Sequence, residues 1–146
     1  MAGNNIVEYK WLPEPYVIAD EYDALAFEFE QRDAVMQEAL TVVIADVENQ
    51  FAMDGPGWAG WAESTANDPR ANSLMQRSGD LLAGASSRGS YEANREYIAW
   101  TGGAAPEYWH FHWTGTYKMP QRSWLGLTAK GEAEIMVLFE TWLGAL

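Results

Sequence analysis

The stretch YWHFHWTGT, residues 108–116, holds the only two histidines of the chain, one residue apart among aromatics. Read as a strand, it places His110 and His112 on one face with Tyr108, and Trp109, Phe111 and Trp113 on the other, because alternate residues share a face. Two imidazoles on one face can supply two ligands to a zinc ion at ~2.0–2.1 Å. Zinc needs at least one more ligand. With no cysteine in the chain, that ligand must be a carboxylate, and none stands at a spacing that returns it to this strand. The sequence therefore assigns no metal and no cofactor. The histidines read as structural, and a His-x-His metalloenzyme is the least favoured alternative.

Other catalytic templates are weaker. Glu28/Glu30 and Glu132/Glu134 suit acid–base chemistry only where burial splits their pKa values. Two residues apart on a helix, each pair falls on different faces and reads as solvated surface. Ser86, Ser87 and Ser90 lie in no G-x-S-x-G elbow, and no glycine-rich stretch carries a phosphate-binding lysine. The tryptophans raise a different possibility. Trp58, Trp61, Trp100, Trp109, Trp113 and Trp124 have flat faces suited to packing on sugar rings, so a small carbohydrate-binding module is a second alternative. Eight tryptophans in 146 residues exceed what a core of this size needs, which predicts some of them at subunit contacts.

The composition sets limits on the rest. A chain of 146 residues is one domain in size and can bury roughly 68–70% of its unfolded surface. Nine basic residues against twenty-one acidic ones give a net charge of −12. Gripping a phosphate backbone takes many Lys and Arg, so DNA-binding proper is disfavoured. The start, MAGNNIVEYKWLPEP, has neither a basic n-region nor an apolar h-region. No apolar run approaches the ~18 residues of a membrane span.

Positioning elements follow from the periodicities. Residues 5–18 read as an extended lead-in, with Ile6, Val7, Tyr9 and Trp11 favouring a strand and Pro13 and Pro15 opposing a helix. A long helix is expected from Asp20, its N-cap, to about Met53. Its apolar stripe is Leu25, Phe29, Met36, Leu40, Val43, Val47 and Phe51. Gly55-Pro56-Gly57 ends it, and a loop-rich middle runs to about Arg88, with a turn at Asp68-Pro69 and a short helix around Leu81. Residues 90–113 read as two strands separated by Gly102-Gly103 and Pro106. A last helix runs from Thr128, its N-cap, to about Leu143, with Ile135, Leu138, Phe139 and Trp142 on one face. The expected fold is a single α+β domain over residues 1–146, with 1–20 an extended N-terminal segment. In it, a long N-terminal helix and a C-terminal helix pack on a small, mainly antiparallel sheet.

Four segments in order resemble one family, the phage virion morphogenesis or tail-completion (neck, head-to-tail connector) proteins. Phe51-Ala52 followed by GPGWAGWAEST, residues 55–65, is similar to the family's glycine-proline loop, tryptophan and closing Ser-Thr. LMQRSGDLLAGAS, residues 74–86, is similar to its Leu, Ser/Thr-Gly, Leu and small-residue end. FHWTGT, residues 111–116, resembles an element in which an aromatic precedes His, two variable residues and Gly, places filled here by His112 and Gly115. MPQRSWLGLT, residues 119–128, resembles Pro-x-Arg-x-aromatic-Leu-Gly before a closing amphipathic helix. The likeness covers residues 51–143. Residues 1–20 and 87–107 follow no family pattern, and Trp113 stands where a family member commonly has Gln.

The resemblance implies a non-enzymatic virion protein of the head–tail joint, a neck, tail-completion or tail-terminator protein. It would be assembled in the host cytoplasm and act as a homo-hexameric ring around the DNA exit channel. The implied partners are further copies of itself, neighbouring neck, stopper or adaptor proteins, and tail proteins. Genome DNA would pass during ejection without specific binding, and no membrane is involved. The matching positions become candidate structural or interface residues: Trp58, Trp61, Thr65, Leu74, Gly79, Leu81, His112, Gly115, Pro120, Arg122, Trp124 and Gly126. Gly115 and Gly126 are expected to allow positive φ or close backbone approach, and Pro120 to stiffen the loop before Arg122. The Arg122 fork suits a carboxylate or a pair of carbonyls, within or across subunits. Trp58, Trp61 and Trp124 are expected to anchor loops onto the body or a neighbour.

Overall fold

The computed structural model describes residues 15–55, 57–60, 67 and 78–146. Of the sequence expectations, the strand at 6–11, the Asp68-Pro69 turn, and Trp61, Thr65 and Leu74 lie outside the described residues. The fold is α+β in a single domain. The order is α1 (Pro15–Glu30), α2 (Asp33–Ala52), α3 (Asp80–Ala85), a 3-10 turn at Arg88–Ser90, β1 (Tyr91–Ala93), β2 (Ile98–Trp100), α4 (Trp109–Thr114) and α5 (Ala129–Gly144).

The long helix begins at Pro15, not at Asp20. Proline is tolerated in the first helical turn, where its missing N–H would have had no partner, so Pro15 starts the helix instead of preventing it. A turn at Gln31–Arg32 then separates α1 from α2. There the Arg32 side chain donates to the carbonyls of Phe29 and Arg95, tying the turn to the hairpin.

Helix α2 is the spine, packed against α5 along one side and against α3 and β1 on others. Its stripe buries Val35, Met36, Ala39, Leu40, Val47 and Phe51, whereas Leu25 and Phe29, on α1, are 38% and 39% exposed. The helix stops where Asp54 (φ 52) and Gly55 (φ 79) enter the left-handed region, which favours glycine and tolerates Asp. A Cβ on Gly55 would sit 1.8 Å from Cδ2 of Trp58. Glycine here lets the chain fold back over Phe51.

Two short strands pair antiparallel, with Tyr91 opposite Trp100 and Ala93 opposite Ile98. Asn94 makes the turn, its Oδ1 accepting from the N–H groups of Glu96 at 2.8 Å and Tyr97 at 3.0 Å. The second strand expected near Tyr108–Trp113 is instead helix α4. In a helix, residues four apart share a face, so Trp109 and Trp113 both pack on the core while Phe111 stays 46% exposed. Burying two indoles overrides the local strand preference of an aromatic-rich segment.

Helix α5 begins as expected. Thr128, extended at ψ 163, accepts from the Gly131 N–H. Ile135, Leu138, Phe139 and Trp142 are half-buried, while Met136 and Val137 are 60% and 61% exposed. No helix among the described residues is long and apolar enough to cross a membrane.

Candidate interface scaffold

The described parts of the four family-like segments meet at one place. Phe51 and Trp124, both fully buried, form its centre with Val47, Leu81 and Ala85. Around them the rings pack mostly edge to face: Phe51 on Trp58 at 5.3 Å, Trp100 on Trp109 at 5.5 Å, and Trp100 on Trp124 at 6.3 Å. Trp109 completes the cluster with Trp113 at 6.1 Å and Trp124 at 6.5 Å. Such offset geometry suits aromatic quadrupoles. Among the described residues, five tryptophans thus lie in or against the core. Trp100, Trp109, Trp113 and Trp124 pack on one another, and Trp58 packs on Phe51.

A reciprocal latch joins the 57–60 loop to the 122–124 segment. The Arg122 fork donates from Nε to the Ala59 carbonyl at 2.8 Å and from Nη2 to the Gly60 carbonyl at 2.7 Å. In return Trp58 Nε1 donates to the Ser123 carbonyl at 2.9 Å. The backbone N–H of Arg122 donates to the His112 carbonyl at 2.8 Å, so one residue connects three segments. Arg122 is 9% exposed, and burial lowers its pKa below the usual arginine value. Of the two acceptor types the sequence left open, the structure displays backbone carbonyls within the chain.

His112 lies beside this latch. Its pKa is lowered by burial and, second, by the Arg122 charge. Among the described residues its buried Nδ1 has no hydrogen-bond partner. His110 is exposed. Two residues apart on a helix, the two imidazoles diverge by about 200°, so they do not share the face that the strand reading assumed. Among the described residues no three His, Asp or Glu side chains gather where a metal ion could sit.

The remaining candidates have definite places. Gly79 (φ 82) caps α3, and Leu81 beside it is 2% exposed. Gly115 has φ 72, and a Cβ there would lie 2.9 Å from the Gln121 nitrogen. Gly126 differs from the expectation, since a Cβ there meets nothing within 4 Å and φ is not positive. What Gly126 supplies is its carbonyl, which accepts from Gln50 Nε2 at 2.8 Å. Pro120 is exposed in the loop that Gly115 turns into.

Sequence reasoning missed Asp46, Gln50 and Ser90, all buried. Asp46 caps α5 from across the core, accepting from the Thr128 N–H at 2.8 Å and from the Thr128 hydroxyl. Gly131 makes room, because a Cβ there would lie 2.7 Å from the Asp46 Cγ. The available signal was two polar residues, four apart, interrupting the apolar stripe beside Val43 and Val47. Ser90 donates to the Gly84 carbonyl at 2.6 Å and accepts from the Ala104 N–H at 3.2 Å. The Tyr91 hydroxyl donates to the Ala85 carbonyl at 2.7 Å, and burial pushes its pKa up to about 12.

Between α2, α5, the hairpin and residues 125–127 runs a cleft of about 540 Å³, walled mainly by apolar side chains such as Met36, Ile98, Trp113 and Phe139. Its acidic members are Asp46, already engaged with Thr128, and Glu96. Set against known protein families, curated proteins and solved structures, the chain matches none of them.

Proposed function

We propose that this protein is a non-enzymatic structural component of a phage virion, a neck, tail-completion or tail-terminator protein. It forms a ring around the DNA exit channel and joins tail to portal-capped head. The observation that carries the reading is the convergence of the family-like segments on one scaffold: the 51–60 loop, α3, α4 and the 119–128 segment close around Phe51 and Trp124. Residues that make motifs in the sequence act together in space, through the Arg122 and Trp58 hydrogen bonds.

Two further features support an assembly role. Large apolar side chains remain on the outer face of α5, Met136, Val137 and Leu143, and such surfaces suit contacts with neighbours. The charge of −12 suits a channel wall that repels phosphate instead of holding it. Electron microscopy of the purified protein, alone and with portal and tail partners, tests the proposal. Closed rings, six copies each, seated between portal and tail are the expected result. A monomer that never enters virions overturns it.

A further inference from the structure

Helix α1 carries a surface that the described residues leave uncovered. Every residue from Asp20 to Glu30 is exposed. Among the described residues, this helix meets the body through the edge contact of Phe29 with Trp142 at 5.9 Å and, at its C-terminal end, through the Phe29 carbonyl, which accepts from Arg32. At 100° per residue, Tyr22, Leu25, Ala26 and Phe29 form one stripe at i, i+3, i+4 and i+7. Carboxylates flank it on both sides, Glu21 and Glu28 along one edge and Asp23 and Glu30 along the other. No Lys or Arg occurs in Pro15–Glu30. A helix of this length is marginal in water without packing, and this one takes little from its own core.

The spacing is that of a helix laid in a groove, where i, i+3, i+4 and i+7 side chains are the anchors. Exposures of 67%, 38% and 39% at Tyr22, Leu25 and Phe29 leave roughly 300 Å² of apolar surface, taking 150–250 Å² per aromatic. Counting both sides, that gives a contact of roughly 600 Å², below the ~1,200 Å² of a standard interface. A contact of that size is a weak, transient one, and it needs complementary charge at its rims to select its partner. A second copy of this chain does not meet that need, because it is strongly acidic overall and its own apolar cleft carries Asp46 and Glu96.

We infer that α1 is a docking helix for another protein, one that presents an apolar groove with Lys or Arg along both rims. The inference is independent of the ring reading, since such a groove can belong to any assembly partner. It is tested by placing photoreactive benzoylphenylalanine at Tyr22 of the full chain, irradiating the producing cells and mapping attachment points by mass spectrometry. A single adduct at a groove rimmed by basic residues is expected. The same probe at Phe27, about 140° away around the helix, should give at least fivefold less. Combining Glu21→Lys and Glu28→Lys should lower the Tyr22 yield at least tenfold, with Glu21→Gln and Glu28→Gln intermediate and all variants melting like the parent. Adducts to another copy of the chain, adducts to a surface without basic residues, equal yields at both positions, or no adduct would each overturn the inference.

Discussion

Arg122 shows how a charged side chain earns burial. Its fork meets two carbonyls 62 and 63 residues away along the chain, and charged hydrogen bonds of this kind are worth about 1.5–3 kcal/mol each. Arg122→Met should therefore destabilise the protein by about 3–6 kcal/mol, read as a lower urea midpoint. Arg122→Lys should fall between, because an ammonium cannot span both acceptors in one plane. His112 gives a pH signature. Its folded-state pKa lies below the unfolded value of about 6.5. Above pH 6.5 both states are neutral at this site and nothing is lost. As pH falls through 6.5 the unfolded chain takes up the proton first, so stability declines until the pH reaches the lowered folded value. Urea titrations at pH 7.5, 6.5 and 5.5 should show that decline, and His112→Gln should flatten it.

Among elements, α2 and α5 were legible because long apolar periods and a Thr cap act locally, within the helix that carries them. Helix α4 was not. Its six residues, WHFHWT, have strand-like composition, and their state is decided by Trp109 and Trp113 reaching a core built from distant segments. The start of α1 was misplaced for a related reason, as proline's meaning depends on its position in the first turn. The Arg122 latch was half legible: the fork suggested a bidentate acceptor, but the choice between carboxylate and carbonyl depended on a loop far along the chain. The α2–α5 junction was illegible because Asp46 and Gln50 look like breaks in a stripe until Thr128 arrives. Asp46→Ala should cost about 2–4 kcal/mol, leaving Gln50 and the Thr128 N–H without that acceptor. Loss of helical circular dichroism at a lower temperature than in the parent would record it.

For the whole molecule, the body and α1 should separate energetically. Leu25→Glu, on a helix exposed throughout Asp20–Glu30, should leave the urea midpoint within the equivalent of about 0.5 kcal/mol of the parent. A larger loss would mean that α1 belongs to the cooperative core. The aromatic cluster also has an optical consequence. Trp100, Trp109, Trp113 and Trp124 lie in ring-to-ring contact at 5.5–6.5 Å, close enough for their excited states to couple. Near-ultraviolet light will be absorbed by the group more than by single indoles, and energy will migrate to whichever ring lies lowest before it is emitted. The protein thus contains its own spectroscopic gauge. A shift of α4 or of the 122–124 segment by a fraction of a ring width should alter the exciton signal of the cluster, with no label attached.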